Sequence, residues 1–258
     1  MSCTAWTGIV TWHQGRCGSS VLGSLLNQHS HIQASNEIFS RYMPRRWGNR
    51  PVPPINQVLQ KALSVRNKPI FNIEIKSLLA QNRSLYPGIS LGQWFELLFN
   101  EGFHRQVVLF RRHGLRRLIS HLLEQRSGIF VQSMQDPVES QEPLWVNTTA
   151  IREGACTYDL LHWLDLYAST HAELLSTAQR FSIDKGLPAP LLLFYEDSIE
   201  SDPLDAYMQF CGWLGLHSEP VSVQHRRINV CPLPQLISNW DEIELLLKQT
   251  PHSWMLDR

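Results

Sequence analysis

The chain has 258 residues, enough for one ordinary α/β domain with a sizeable core. Lysine plus arginine and aspartate plus glutamate each number 23, so the formal net charge is zero. That balance argues against a protein that coats nucleic acid or lies on a membrane surface, whose affinity rests on a basic excess. Charge-based function is left to local clusters.

Residues 6–12 (WTGIVTW) predict a strand. Gly18, Ser19 and Ser20 then lead into a helix whose apolar face is Val21, Leu22, Leu25 and Leu26. Residues 41–56 (RYMPRRWGNRPVPPIN), rich in proline and arginine, predict an irregular excursion. A second strand is expected at 70–75, a helix at 91–99 and a third strand at 106–110 (QVVLF). Leu115, Leu118, Ile119, Leu122 and Leu123 follow at helical spacing. Residues 127–143 carry Gln, Ser, Asp, Glu and two prolines and predict a loop or lid. One long helix is expected over 158–178, a buried strand at 191–195 (LLLFY), a helix near 204–214 and a last amphipathic helix near 240–247.

This alternation predicts a three-layer, P-loop-like α/β fold, a central parallel sheet flanked by helices, with residues 1–258 as a single domain. The five cysteines (Cys3, Cys17, Cys156, Cys211, Cys231) form no CxxC pair and read as thiols of a reducing compartment. No apolar run reaches the ~20 residues of a spanning helix, and no signal peptide is visible. A cytoplasmic protein without a membrane anchor is expected.

The first chemical signal is QGRCGSSVLG, a Gly/Ser turn between strand and helix. Backbone N–H groups at such a helix start, together with the helix dipole, bind an oxyanion. Gly15 and Gly18 allow close backbone approach, and Ser19 and Ser20 add hydroxyl donors. A Walker loop needs GxxxxGK followed by Ser or Thr; here Ser19 stands where the lysine would be, and Arg16 precedes Gly18 by two residues. An ordinary βα turn that happens to contain glycine is the plainer alternative.

The second signal is VVLFRRHGLRRLIS. Arg111 and Arg112 lie where a strand ends, the ligand side of a parallel sheet, and Ser120 follows Arg112 by eight residues. An arginine fork plus a hydroxyl suits a phosphate monoester. Arg116 and Arg117 share a helical face with Ser120, and for them a solvated basic face is an equal alternative.

GRCGSSVLGSLLNQHSHIQASNEIF resembles the 5′-phosphosulfate loop of sulfotransferases, and FRRHGLRRLIS resembles their 3′-phosphate motif. LLLFYEDSIESDPLDAYMQFCGWLGL is similar to the family's YED strand and following helix. RRINVCPLPQLISNWDEIELLLKQT is similar to the C-terminal part of bacterial small-molecule and glycolipid sulfotransferases. The four segments occur in family order.

The resemblance implies transfer of a sulfonate from 3′-phosphoadenosine 5′-phosphosulfate (PAPS) to a hydroxyl or amine, with adenosine 3′,5′-bisphosphate (PAP) as product and no metal. It places Gly15, Arg16, Cys17, Gly18, Ser19 and Ser20 around the phosphosulfate and Arg112 and Ser120 at the 3′-phosphate. The RKGxxG clamp of the cytosolic enzymes is absent; Arg226 and Arg227 are the candidates to replace it.

Arg16 would stabilise charge on the bridging oxygen, and Glu37, in SNEIF after the first helix, would be the general base if burial raises its pKa. A capping or salt-bridging glutamate is the alternative for Glu37. The histidine of the steroid and phenol enzymes is missing from FNIEIKSLL, which offers Lys76 facing the sulfonate, or else paired with Glu74. His13 and Glu196 are given structural roles, and no histidine is assigned to a metal.

Residues 41–56 and 127–145 are the expected acceptor-side loops around a small-molecule acceptor. Saxitoxin sulfotransferases of cyanobacteria and trehalose or glycolipid enzymes are comparable groups. A P-loop kinase and a non-catalytic nucleotide-binding protein of the same fold are the competing readings. Nucleic acid is not an expected partner, and a homodimer stays open.

Overall fold

The computed structural model describes residues 6–136, 142–228 and 230–256. In chain order the strands are β1 (Thr7–His13), β2 (Ile32–Glu37), β3 (Ile70–Lys76), β4 (Arg105–Phe110), β5 (Ile151–Glu153), β6 (Cys156–Tyr158) and β7 (Leu191–Phe194). β5 and β6 pair as a separate antiparallel hairpin. The other five form one parallel sheet in the order β2-β3-β1-β4-β7. From β1 the chain first winds to the β3 side and then crosses to the β4 side. The carboxyl end of β1 is therefore the switch point, where open α/β sheets bind ligands.

The helices are α1 (Ser19–Gln28), α2 (Pro44–Trp47), α3 (Ile55–Leu63), α4 (Leu91–Asn100), α5 (Gly114–Ser127), α6 (Leu160–Asp184), α7 (Tyr195–Ser198), α8 (Pro203–Leu214), α9 (Leu233–Leu236) and α10 (Trp240–Leu247). Side chains alternate across β1. Val10 and Trp12 join the core under α3, α4 and the second half of α6; Ile9 joins the opposite core under α1 and α8. Burying Leu22, Leu25 and Leu26 seats α1, at roughly 1.5–3 kcal/mol per side chain. A third cluster, beyond the sheet end, packs α5 and the first half of α6 against α9, α10 and the hairpin.

The expected strands at 6–12, 70–75, 106–110 and 191–195 correspond to β1, β3, β4 and β7. β2 was not foreseen: Gln33, Ser35 and Asn36 hide the pattern in IQASNE, an edge strand with one half-exposed face. Residues 41–56 are not wholly irregular, since Pro44 opens α2 and Ile55 begins the amphipathic α3. The long helix starts at Leu160 behind its Asp159 cap, and Tyr195 belongs to α7 instead of the strand. Of the expected loop at 127–145, residues 137–141 lie outside the described residues.

Candidate functional site

β1 delivers the chain to the turn 14–18 with His13 still in register beside Lys76 of β3. Gly15 (φ 80°) and Gly18 (φ 87°) occupy left-handed backbone, as does Arg16 (φ 57°). A side chain at Gly18 would also collide, its Cβ lying 2.8 Å from Ile199 Cγ2. α1 then starts with no side-chain cap on its first amides. The Arg16 guanidinium turns towards α5: Nε donates to Ser120 Oγ at 3.0 Å and Nη1 to the Phe130 carbonyl at 3.0 Å, and Nη1 lies 3.0 Å from Glu124 Oε2.

The end of β4 separates its two arginines. Arg111 is buried, stacks 4.3 Å over the Tyr195 ring and donates to the Arg16 carbonyl at 3.3 Å. Its Nε has no hydrogen-bond partner among the described residues. Burial lowers its pKa, and Arg227 nearby adds to that. Arg112 points the other way, exposed and paired with Asp197 and Glu196. Glu196 also accepts from the amides of Arg112 and His113 at 3.1 and 3.0 Å, tying the start of α5 to α7.

Arg111, Ser120, Arg16, Gly18, Ser19, Ser20, Arg226 and Arg227 line one cavity of about 440 Å³. Its charged lining is four arginines against one carboxylate, Glu200. Gly15, Cys17, Arg112, Glu37 and Lys76 are not in that lining. Phe130, Val131 and Met134 form one wall, joined to residues 223–228 opposite by Met134 N–H to Gln224 O (3.1 Å) and Arg226 N–H to Gln132 O (2.9 Å). Arg226 Nη2 donates to Met134 O at 2.6 Å, and Arg227 pairs with Glu200 at 2.5 Å.

Glu37 and Lys76 meet on the other side of the loop. A register shift between Ser35 and Glu37 re-aims the end of β2, and Lys76 Nζ reaches Glu37 Oε1 at 2.9 Å. Lys76 thus pairs with Glu37 and not with Glu74, the partner in the alternative reading. A Cβ on Gly15 would lie 3.2 Å from Lys76 Cε, so this pair abuts the loop.

The expected rise in the Glu37 pKa is reversed. Burial pushes it up, but Lys76, His13 and Arg46 bring it below its ordinary value. Sequence reasoning missed two neighbours on α5. Burial raises the Glu124 carboxyl despite Arg16 beside it. Burial and the Arg117, Lys76 and Arg16 cations lower His121 to about 4, leaving it neutral.

Arg117 is not on a solvated face: it is 1% exposed and bound to Glu153 of the hairpin, itself 0% exposed. Arg116 is half-buried and donates to the Cys231 carbonyl at 3.3 Å. No local motif could have revealed Glu153, whose partner is remote in sequence. Elsewhere, His29, His31 and Glu219 bring ligand-type atoms within 4.8 Å of one another. Both ring nitrogens of His29 are already engaged, by His31 N–H and His217 O, at the opposite end of the sheet.

The fold is similar to that of solved sulfotransferases. A sulfotransferase from Alicyclobacillus acidocaldarius superposes with a TM-score of 0.52 over 98% of this chain and 94% of its own, at 14% identity. The sulfotransferase domain from the Synechococcus PCC 7002 olefin synthase aligns at 0.42 and 14% identity, over 97% of this chain and 92% of its own. The sulfotransferase domain from the curacin biosynthetic pathway aligns at 0.40 and 11%, over 83% and 76%. No family model and no curated protein matches the sequence. Among the described residues no helix is long and apolar enough to cross a membrane.

Proposed function

We propose that this protein is a sulfotransferase that moves a sulfonate from PAPS to a hydroxyl or amine of a small-molecule acceptor. The observation that carries the reading is the cavity with two anion seats. One is the start of α1 with Arg16; the other is Arg111 with Ser120, flanked by Arg226 and Arg227. A donor with a 5′-phosphosulfate and a 3′-phosphate has one anionic group for each. Arg111, whose buried Nε has no hydrogen-bond partner among the described residues, takes the 3′-phosphate role that the resemblance implied for Arg112. A kinase reading lacks the loop lysine, Ser19 standing in its place.

In the reaction the acceptor oxygen or nitrogen forms a bond to sulfur as the bond from sulfur to the bridging phosphate oxygen breaks. PAP leaves with the electron pair. Arg16 and the Gly18–Ser20 amides stabilise the charge gathering on the phosphate, and Lys76 faces the sulfonate. Glu37 accepts the acceptor proton, with Lys76 beside it keeping the carboxylate ionised at neutral pH. Residues 41–56, 127–136 and 142–145 border the acceptor. Polar natural products, including saxitoxin-type guanidines and trehalose, form the first screening set.

Calorimetry with PAP against ADP, on wild type, Arg111→Ala and Arg112→Ala, tests the donor assignment. Preference for PAP, lost in Arg111→Ala and kept in Arg112→Ala, supports it. Equal binding of PAP and ADP returns the choice to the kinase or non-catalytic readings. A PAPS-dependent mass gain on an acceptor tests transfer itself.

A further inference from the structure

One buried polar cluster reaches from the β5–β6 hairpin to the loop that follows β1. The Glu153 carboxylate receives four hydrogen bonds: Arg117 Nη1 at 2.7 Å and Nη2 at 2.6 Å, the Tyr167 hydroxyl at 2.7 Å and Gln81 Nε2 at 2.6 Å. The Arg117 guanidinium also lies 4.1 Å over the Tyr167 ring. Two of these donors do more. Arg117 Nη2 and Gln81 Nε2, the latter at 3.1 Å, both also donate to the Gln14 carbonyl.

The other end of the same peptide is held as well. Gly15 N–H donates to His13 Nδ1 at 3.1 Å, and the Gln14 side chain donates to Tyr167 O at 2.7 Å. The Gln14–Gly15 peptide is therefore fixed at both of its polar atoms, immediately before the left-handed Arg16. The hairpin bearing Glu153 is seated by its own turn. Gly154 (φ 59°) sits so close to Ala80 that a Cβ would come within 2.0 Å of the Ala80 carbonyl.

A buried ion pair is weak as a stabiliser, because losing the hydration of two charges offsets most of their attraction, and apolar residues of similar volume often do as well. What it supplies here is direction. We propose that Glu153 and Arg117 are positioning residues of the donor site: through the Gln14 carbonyl they set the path of the loop and hold Arg16 where it meets the donor. The clamp stands on geometry alone; naming PAP as its probe rests on the sulfotransferase reading.

The double variant Arg117→Leu/Glu153→Leu removes both charges and leaves none uncompensated. Thermal unfolding, hydrogen exchange of the amides of residues 14–20, PAP binding and transfer kinetics are compared with wild type. The expected result is a folded protein whose loop amides exchange faster while the β1 and β4 amides keep their protection. PAP affinity falls about tenfold, the loss of one charge-assisted hydrogen bond. The turnover number falls on the order of 10²-fold, as for a misplacement of about 1 Å, with a smaller change in acceptor KM.

A folded double variant with wild-type loop exchange and PAP affinity overturns the proposal. Should the double variant fail to fold, Tyr167→Phe removes one bond to the carboxylate without stranding a charge, and its loop exchange decides in the same way. If wild type neither binds PAP nor transfers sulfonate, the functional reading falls, and the exchange comparison alone still decides the clamp.

Discussion

The floor and the wall of the cavity are built by different physics. The floor, Arg16 and Gly18 to Ser20, continues from the central sheet through Gln14 and is held from beneath by the fully buried Arg117–Glu153 pair. The wall, residues 130–134 against 223–228, is joined by main-chain bonds between two loops and by arginines that are half-buried or exposed. Its Phe130, Val131 and Met134 are 43%, 43% and 54% exposed. A group that must meet a transition state belongs on the first kind of support, where neighbours dictate its position. Recognition of variable ligands tolerates the second.

Substitutions on the floor should therefore cost much more than those on the wall. The largest loss is expected beside the floor, across the loop from the cavity, where Glu37→Gln should cost about 10²–10⁴-fold in kcat, the usual contribution of a general base, if the proposed role holds. Because Lys76 holds the Glu37 carboxyl below its ordinary value, the acid limb of wild-type activity should lie below that of an ordinary carboxylate, and Lys76→Met should move it upward. A pH–rate profile of both proteins checks this, and an unmoved limb would put the base elsewhere.

Next, Arg111→Ala should weaken PAP binding by about 2 kcal/mol, whereas Arg112→Ala, whose contacts to Asp197, Glu196 and Phe194 lie outside the cavity lining, should weaken it by less than about 1 kcal/mol. Calorimetric titration separates the two. Equal losses would mean that Arg112 also reaches the donor.

Acid unfolding probes the support under the floor. Burial opposes ionisation of Glu153, yet Arg117 and its hydrogen bonds lower its pKa from 4.5 to about 2. The folded pKa is depressed, so the stabilisation is complete above the unfolded value and is lost as pH falls from 4.5 towards 2. Denaturant titrations across that range should show a smaller acid loss in Arg117→Leu/Glu153→Leu than in wild type. The smallest effect is expected on the wall: Arg226→Ala loses a bond to Met134 O and should change stability by under about 1 kcal/mol, measured by thermal unfolding.

The strands with dense apolar runs were legible in the sequence because both faces of a central parallel strand are buried, as in IVTW and VVLF. The edge strand β2 was not, since its polar residues read as a loop. The Gly/Ser turn was legible because left-handed backbone demands glycine at positions 15 and 18. The choice between Arg111 and Arg112 was not: adjacent residues at a strand end point oppositely, and only the packing of Tyr195 and α7 decides which faces the cavity. Glu124 and His121 carry no signal beyond helical spacing from Ser120, and Glu153 acquires its meaning from three other elements at once.

The left-handed backbone at Arg16 has a consequence for laboratory evolution. An L-residue with a side chain sits there at a cost of about 1 kcal/mol that glycine would not incur. Glycine would relieve that cost but lose the bonds from Arg16 to Ser120, Phe130 and Glu124, so a screen for heat resistance alone sets backbone relief against those contacts and takes no account of turnover. Thermostabilisation of this chain is best sought with position 16 held constant.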